Sequence, residues 1–406
     1  MAQTFDAIVI GGGPGGATAG LLLARAGWRV AVIEKSRFPR RKVCGEYISA
    51  TNLPLFRRLG LEEDFLSRAG PAVRRVGLFA GQTILTASMP QANDPSEGRG
   101  RAMGRDRLDT LLLERAAAAG ASIRQPWSAT QLRERKDDFL CQVANKGTRV
   151  TEELHAPVVI AAHGSWEPGT LPTQPARSAP CCADLLAFKA RFHDSGLPAD
   201  LMPLFVFPGG YGGMVHTDEE QVNLSCCIRR DQLERCRLRT PGTSAAETVL
   251  AHIKKTCRGV CDALSGARVV EGWLSTGPIR PGIRARISEG IFSVGNAAGE
   301  AHPIIAEGIS MAIQSSWLLC ERLAAGPGHR LSREALREIG SDYAAAWRKC
   351  FASRVRAAAL FAQLAMRPTA VEWLVPLFRV LPGLLTLGAK LSGKTNGPDP
   401  TLGVVS

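Results

Sequence analysis

The chain has 406 residues, of which 45% are hydrophobic and 21% are charged, and its formal net charge is +13. This length predicts two or three domains, and the composition is that of a globular protein rather than a disordered, collagen-like or coiled-coil one. Every run of about 18 residues contains a charge or a proline, which argues against a membrane-embedded fold.

The basic excess does not by itself indicate nucleic-acid binding. Lysines and arginines are scattered through helix-like segments, and aromatic residues make up only 6% of the chain. Nucleic-acid recognition usually combines a basic stripe with stacking platforms or a known module, and the sequence has neither. We expect no nucleic-acid partner, and we interpret the charge as suited to an anionic small molecule or an acidic protein.

The cysteines suggest reduced thiols. The first strand-like run begins at Phe5, which leaves no room for an export signal, so we expect a cytoplasmic protein. Eleven cysteines on such a chain argue against a disulfide framework. The vicinal pairs 181–182 and 226–227 suit a metal, but no histidine or second CxxC stands at ligand spacing. We therefore expect mostly buried thiols and no metal site.

The chain opens as a nucleotide-binding unit. Residues 5–10 are an apolar, β-branched run typical of a buried parallel strand, and G-x-G-x-x-G follows at positions 11, 13 and 16. Residues 17–27 have helical spacing, residues 28–33 form a second strand, and Glu34 closes it. This order of strand, glycine motif, helix, strand and acid predicts a dinucleotide site.

Each residue of this motif has a physical role. Gly11 permits the tight turn, Gly13 lets the backbone approach a pyrophosphate, and Gly16 allows close packing of helix and strand. The helix start, with Pro14 and Gly15, turns its free N–H groups toward the phosphates. The Glu34 carboxylate can accept hydrogen bonds from a ribose diol.

Three later segments carry a family resemblance. Residues 37–46, R-F-P-R-R-K-V-C-G-E, resemble the segment after the second strand in group A flavoproteins, which include aromatic hydroxylases, geranylgeranyl reductases and flavin-dependent halogenases. Residues 103–109 resemble the R-x-x-L-D signature that opens a helix. Residues 290–299, continued by His302-Pro303 and residues 307–310, resemble the late G-D-A-A motif. The likeness covers roughly residues 5–325.

The resemblance implies an α/β fold with a Rossmann-like FAD-binding domain, an inserted β-sheet substrate domain and a C-terminal helical tail. We assign 1–75, 100–180 and 275–330 to the discontinuous FAD-binding domain. We assign 76–99 and 181–274 to the substrate domain, and 331–406 to the C-terminal helical region.

The resemblance also implies which residues hold FAD. Gly11, Gly13, Pro14, Gly15 and Gly16 would take the pyrophosphate, and Glu34 with Lys35 the adenosine ribose. Arg41 and Arg105 would contact the phosphate and ribityl region, and Cys44 and Gly45 would border the flavin. Gly295 and Asn296 would meet the ribityl chain or phosphate, and Pro303, Gly308 and Ile309 would pass the isoalloxazine. NAD(P)H or a separate reductase would supply electrons.

Three departures from the family patterns bear on function. Asn296 replaces the motif aspartate, a change that FAD binding should survive. His163, in residues 158–166, replaces the acid of the hydroxylase D-G-x-x-S-x-x-R motif, so the usual route for the pyridine nucleotide is in doubt. The halogenase signature W-x-W-x-I-P is absent, and no lysine stands between Lys42 and Lys136. Halogenation is therefore disfavoured.

Two segments concern the substrate. Residues 205–214 resemble the Y-G-W-x-F-P stretch of prenyl reductases, but Gly213 replaces the tryptophan, which should enlarge the cavity for a bulkier or ring-shaped substrate. Residues 371–391 are apolar but interrupted by Pro376 and Pro382. They are compatible with a cap over an apolar channel or with a membrane surface. We favour ordinary packing against the substrate domain.

Catalytic candidates follow from the same resemblance. His302 precedes Pro303 in the motif that passes the flavin, so it is the leading candidate for a base, with a helix-start structural role as the alternative. Cys44 would tune or shield the flavin, or merely pack. Tyr211 and His163 are weaker candidates.

We therefore predict an FAD-dependent monooxygenase that hydroxylates an aromatic, phenolic or polyketide-like substrate, free or presented on an acidic protein. The first alternative is a C=C reductase of the geranylgeranyl reductase type. The second is a flavoprotein electron carrier or maturation factor without turnover of its own. We expect no transmembrane segment.

Overall fold

The computed structural model describes residues 3–91, 98–164, 169–176, 179–284, 289–326 and 331–395. The strands are β1 (Gln3–Thr4), β2 (Ala7–Ile10), β3 (Val30–Ile33), β4 (Tyr47–Ile48), β5 (Arg75–Ala80), β6 (Thr83–Ser88), β7 (Arg101–Ala102), β8 (Ser122–Arg124), β9 (Trp127–Glu134), β10 (Phe139–Asn145), β11 (Thr151–Ala156), β12 (Val158–Ala161), β13 (Leu185–His193), β14 (Leu201–Phe207), β15 (Gly210–His216), β16 (Val222–Arg229), β17 (Arg268–Val269), β18 (Leu274–Ile279), β19 (Gly282–Ile283), β20 (Ile291–Ser293) and β21 (Gly299–Glu300). The α-helices are α1 (Pro14–Arg25), α2 (Leu53–Arg58), α3 (Glu62–Arg68), α4 (Arg105–Ala118), α5 (Arg230–Arg239), α6 (Ala245–Thr256), α7 (Arg258–Ala263), α8 (Gly308–Ala324), α9 (Arg333–Ala365), α10 (Pro368–Val380) and α11 (Gly383–Ala389).

A five-stranded parallel sheet forms the centre of the FAD-binding part, in the order β20-β12-β2-β3-β8. Strands β2, β3 and β12 are buried along their whole length, as continuous apolar runs require. The predicted first strand, helix and second strand are confirmed. The helix starts three residues early, at Pro14, because proline suits the first turn of a helix, where no backbone N–H is needed.

A second sheet, in the order β1-β11-β10-β9, covers one face of the parallel sheet. Ile8, Ile10 and Ile33 of the parallel sheet are buried in one cluster with Phe139 and Leu154 of this second sheet. Helices α1, α4 and α8 pack together on the other side, where Leu21, Leu112 and Leu319 share a core. The parallel sheet, with the carboxyl ends of β2 and β3, therefore lies between the second sheet and the layer of helices.

The largest sheet has eight strands, in the order β17-β13-β16-β15-β14-β5-β6, with β18 paired to β13. Its strands come from the segments assigned to the substrate domain. Strand β18 also joins it, although the boundary placed at residue 275 put most of that strand with the FAD-binding segments. The antiparallel pairing of β18 with β13 extends the sheet past that boundary.

Alternate residues of this sheet face different partners, as the pleat of a strand requires. Phe79 and Phe205 pack in a cluster with residues of α5, α6 and α7. Their neighbours Leu78 and Val206 face the other way and pack with side chains of α10 and α11, among them Phe378. The C-terminal helices thus cover the face of the sheet that points to the FAD-binding part.

The C-terminal region is helical as far as the structure describes it. No single helix within the described ranges is long and apolar enough to cross a membrane. Helix α10 and the segment Gly383–Lys394 pass that test only when joined, and they are bent by 113° relative to each other. Residues 396–406, and residues 92–97 of the assigned substrate domain, lie outside the described residues.

Candidate functional site

The turn between β2 and α1 is built around its glycines. Gly11 has a φ of +113°, and a Cβ there would lie 2.5 Å from the Ala162 carbonyl oxygen. A Cβ on Gly16 would lie 1.8 Å from the Gly11 oxygen, so Gly16 packs against the turn and does not line the cavity. Gly13 instead faces open space, where the nearest atom to a Cβ would be Nη2 of Arg105 at 3.7 Å.

Glu34 closes one side of this turn. The side chain is buried, and its Oε2 accepts a hydrogen bond from the Gly12 N–H at 2.8 Å. Its Oε1 accepts another from the Ser36 N–H at 2.8 Å. Both oxygens keep further lone pairs, and Glu34 and Lys35 line the cavity at the end of β3. This is the position in which a carboxylate can receive a ribose diol.

Arg105 is a buried cation fixed at the head of α4. Its Nε and Nη2 donate to the two Asp109 oxygens, each at 2.7 Å, in a bidentate pair. Its exposed fraction is 7%, yet it lines the cavity beside Gly13. Arg40 lies within 3.6 Å of both Glu34 and Asp109, and sequence reasoning missed it. Arg40 lies in the segment 37–46 that carries the family resemblance, but the arginine predicted to contact the cofactor there was its neighbour.

That neighbour, Arg41, points elsewhere. It lines the cavity, but its guanidinium pairs with the Glu271 carboxylate at 2.5 Å and donates to the Gly272 carbonyl at 3.2 Å. Both partners belong to the loop before β18. The predicted contact of Arg41 with phosphate stays a prediction, and in this structure the residue ties the FAD-binding segment to the large sheet.

The G-N-A-A segment follows β20 and faces the same cavity. Asn296 Nδ2 donates to Glu300 Oε1 at 3.2 Å, and the Asn296 carbonyl accepts from Arg284 at 2.8 Å. Arg284 also lies 3.3 Å from the second Glu300 oxygen. Gly295 has a φ of +59°, and its N–H donates to the Ser315 hydroxyl at 2.8 Å. An amide at 296 therefore has a defined partner in the buried Glu300.

The head of α8 forms the opposite wall. Pro303, Gly308 and Ile309 line the cavity there. Glu307 is buried just before the helix and pairs with Lys394 of the C-terminal segment at 2.8 Å. Sequence reasoning missed this pair because its members stand far apart in the chain.

One continuous cavity of 820 Å³ joins these groups to the large sheet. Its polar end holds the glycine turn, Glu34 and Arg105, and its apolar end lies between the sheet and the C-terminal helices. The predicted cofactor residues that line it are Gly11, Gly13, Pro14, Gly15, Glu34, Lys35, Arg41, Cys44, Gly45, Arg105, Gly295, Asn296, Pro303, Gly308 and Ile309. The structure thus brings together fifteen of the sixteen, and the remaining one, Gly16, packs behind the turn.

Comparison with known proteins identifies the class. Residues 4–173 match the FAD binding domain family. Residues 4–173 are thus an FAD-binding domain, so the protein is a flavoprotein, and it is similar to FAD-dependent oxidoreductases. The flavoprotein is 33% identical to the rifampicin monooxygenase of Streptomyces venezuelae over 160 residues, which are 39% of this chain and 32% of that protein. It is 25% identical to digeranylgeranylglycerophospholipid reductase 1 of Methanothermobacter thermautotrophicus over 366 residues, 84% of this chain and 85% of that one.

The fold is also that of solved flavoenzymes. The myxobacterial chondrochloren halogenase superposes with a TM-score of 0.76 at 19% identity, covering 96% of this chain and 91% of that chain. At this identity the likeness extends to the fold and not to the reaction. It agrees with the α/β architecture, the substrate sheet and the C-terminal helices described above.

The residues present fit FAD. The space beside Gly13 is one that a Cβ would enter, and the buried Arg105 faces it with a fixed charge. The turn and Arg105 would hold the diphosphate, Glu34 the ribose, and the segments at Asn296 and Gly308 the ribityl and ring portions. FAD supplies the redox chemistry when bound, and the protein supplies its orientation and the shape of the cavity.

Tyr211 and His302 form a pair at the junction of sheet and flavin site. The Tyr211 hydroxyl lies 3.2 Å from Nδ1 of His302. Tyr211 is 1% exposed and lines the cavity, whereas His302 stands behind it. Burial lowers the pKa of His302 to about 4, so the imidazole is neutral at physiological pH. Burial also raises the pKa of Tyr211 well above its usual value.

The other two candidates have more ordinary surroundings. Cys44 lines the cavity, and its sulfur accepts from the Glu46 N–H at 3.4 Å. His163 also lines the cavity, with Nε2 at 3.0 Å from the Thr173 hydroxyl. Ser165 and Trp166 of the same motif lie outside the described residues. The described part of the chain holds no cluster of three or more metal-ligating side chains, and six of the eleven cysteines are buried.

A buried charge cluster, also missed from sequence, fixes the flavin segment to the sheet. Glu46 contacts Lys189 and accepts from Arg191 at 2.8 Å, and both Glu46 and Lys189 side chains are fully buried. Burial lowers the pKa of Lys189, and the Glu46 carboxylate opposes that shift. Glu46 holds a φ of +62°, a strained value that these contacts maintain.

Proposed function

We propose that the protein is an FAD-dependent monooxygenase that hydroxylates an aromatic, phenolic or polyketide-like substrate, free or presented on a protein. The electrons would come from NAD(P)H or from a separate reductase. The observation that carries the proposal is the Tyr211–His302 pair, which places a proton-accepting side chain behind a hydroxyl in the cavity wall.

The protonation state of this pair leaves a proton acceptor available at neutral pH. With a pKa of about 4, His302 holds no extra proton at neutral pH, and the raised pKa of Tyr211 keeps that hydroxyl protonated. A substrate phenol bonded to Tyr211 can therefore pass a proton along the hydroxyl to Nδ1 of His302. Hydroxylation of a phenol needs such a removal, whereas saturation of a C=C bond needs a proton to be added.

The shape of the apolar end also supports a broad, ring-shaped substrate. Gly213 lines the cavity, and the nearest atom to a Cβ there would be the Pro203 carbonyl oxygen at 3.5 Å. A larger side chain at this position would enter the cavity. The space that glycine leaves suits a substrate wider than an isoprenoid chain. The surrounding walls, which include Leu78 and Val206, are apolar and exclude water from the reacting ring.

The second candidate is reduction of a C=C bond, and one specific observation favours it. The similarity to the digeranylgeranylglycerophospholipid reductase extends over 85% of that protein, whereas the similarity to the rifampicin monooxygenase extends over 32% of that one. In this candidate the Tyr211 hydroxyl would deliver a proton to the substrate carbon, and the neutral His302 would relay a proton from solvent back to the Tyr211 oxygen, taking it up at one ring nitrogen as it releases another from Nδ1.

Oxygen consumption separates the two candidates. The reduced holoprotein is mixed with a panel of phenolic, polyketide-like and isoprenoid compounds, with and without O2. A monooxygenase forms product only when O2 is present, and peroxide release falls as product rises. A C=C reductase forms its product anaerobically. Anaerobic product formation would overturn the proposal and establish the second candidate.

A further inference from the structure

Helix α10 is apolar on both of its faces. Val371, Leu374, Val375 and Phe378 point inward and line the cavity. Residues 373, 376, 377 and 380, which are Trp, Pro, Leu and Val, repeat at the same helical spacing but point outward. A surface helix normally presents polar residues on its outer side, and nothing in the described part of the chain covers this outer stripe.

The outer stripe continues along α11. Thirteen large apolar side chains are exposed in the described ranges, and six of them lie between residues 373 and 391: Trp373, Leu377, Val380, Leu381, Leu387 and Leu391. Trp373 is 84% exposed and Val380 78%. Isolated exposed apolar residues are normal, but such a concentration marks an interaction surface.

The charge of the same region indicates the kind of partner. Residues 343–395 contain eight lysines and arginines, of which Arg354 and Lys394 are buried, and one acidic residue, Glu372. Arg379 is exposed on α10, Arg367 is exposed just before α10, and Lys390 is exposed just after α11. Tryptophan and leucine flanked by basic residues are the composition of helices that lie in a membrane interface and attract anionic headgroups.

The geometry requires that these helices lie flat. Helix α10 has 13 residues and is about 20 Å long, which is less than the roughly 30 Å of a bilayer core. The next helical segment turns away by 113°, so the two cannot form one straight span. We propose that the outer stripe of α10 and α11 binds the surface of an anionic lipid bilayer. This inference goes beyond the proposed reaction and does not depend on it.

Vesicle co-sedimentation of the full-length holoprotein tests this. We expect at least about tenfold stronger partition to vesicles of mixed phosphatidylglycerol and phosphatidylcholine than to pure phosphatidylcholine, because several basic residues contribute near an anionic surface. The variant Trp373→Glu/Val380→Glu should lose about tenfold or more of that binding. Leu238→Glu is the matched control, since Leu238 is also 84% exposed but lies on α5, and it should bind like the wild type.

A separate variant tests how much the basic residues contribute to vesicle binding. Arg367→Gln/Lys390→Gln should reduce binding to anionic vesicles and leave weak binding to neutral ones unchanged. Flavin absorbance and melting temperature confirm that each variant is folded, which is expected because all substituted residues are exposed.

Three results would overturn the proposal. The first is no partition of the wild type to anionic vesicles. The second is equal partition of the Trp373→Glu/Val380→Glu variant and the wild type. The third is a wild-type dimer in solution that this variant converts to monomer, because a second copy of the chain would then cover the stripe. If the wild type binds an acidic carrier protein but does not partition to anionic vesicles, the proposal is likewise overturned.

Discussion

The Tyr211 hydroxyl lies 3.2 Å from Nδ1 of His302, and of the two only Tyr211 lines the cavity. In the proposed reaction the histidine would therefore act through the tyrosine and not on the substrate directly. This arrangement differs from the direct base that the motif around His302 suggested, because β15 places a tyrosine between that histidine and the cavity.

Removal of either member of the pair should impair turnover and leave FAD bound. We expect Tyr211→Phe and His302→Gln each to reduce product formation by about 10²–10⁴-fold, the scale of a lost general base. The double variant should be no worse than the single ones, because the two residues act as one unit. Tyr343→Phe is the control, a buried tyrosine whose hydroxyl donates to the Ser293 carbonyl. If Tyr211→Phe forms as much product per O2 consumed as the wild type does, the pair has a structural role only.

The pH dependence follows from the lowered pKa of His302. The neutral form persists down to about pH 4, so activity should show no limb near pH 6.5. The unfolded histidine titrates near 6.5, so below that pH the unfolded state binds more protons than the folded state. Stability from the neutral imidazole is therefore present above pH 6.5 and is lost as pH falls toward 4. Melting temperatures across this range should fall more steeply for the wild type than for His302→Gln, and equal slopes would contradict the assignment.

The substitution Asn296→Asp should keep FAD but weaken the fold. It replaces the Nδ2–H that donates to Glu300 by a second carboxylate at the same place. We expect a loss of about 1–3 kcal/mol in the free energy of unfolding at neutral pH, and a more negative flavin reduction potential because of the added charge. Asn296→Asp/Glu300→Gln restores a donor–acceptor pair and should recover most of the stability. Complete loss of FAD in Asn296→Asp would mean that the amide binds the cofactor in a way that a carboxylate cannot.

The glycine turn offers a test of cofactor binding. Gly13→Leu places a side chain in the open space beside Arg105, and it should yield a folded but colourless protein. Gly272→Leu is the control, since a Cβ at that glycine meets no atom within 4 Å. Flavin content per chain, read from the visible spectrum, checks both. If the Gly13→Leu protein has full flavin content, the diphosphate of FAD does not bind in the space beside Gly13.

The buried charges at Glu46 should dominate the stability of the junction between flavin segment and sheet. Glu46→Gln leaves Lys189 without its carboxylate, whereas Arg191 keeps its ion pair with Asp106, and loss of one partner of a buried pair costs about 3–5 kcal/mol. Glu46→Gln/Lys189→Met removes the stranded ammonium and should recover part of that loss. Denaturant unfolding measures both. A loss below about 1 kcal/mol in Glu46→Gln would show that water or another group compensates.

Local patterns in the sequence were enough to predict the first nucleotide-binding unit. The strand at 7–10, the turn at Gly11 and the acid at Glu34 depend on neighbours within a few residues, and each lies where the motif predicts. Contacts between distant segments were not predictable in this way. Glu307 meets Lys394, and Glu46 meets Lys189, only because separate sheets and helices come together. The packing expected of the C-terminal helices against the substrate domain is present, since Phe378 shares a cluster with Leu78 and Val206, but the sequence alone did not show that their inner faces line the cavity.

The most direct test of the central claim is to measure whether the product contains an oxygen atom that comes from O2. The reduced holoprotein is supplied with substrate and isotopically heavy O2, and the product is analysed by mass spectrometry. The account predicts a product that gains one heavy oxygen atom, formed at a much lower rate by Tyr211→Phe. A product that gains two hydrogen atoms and no oxygen would contradict it.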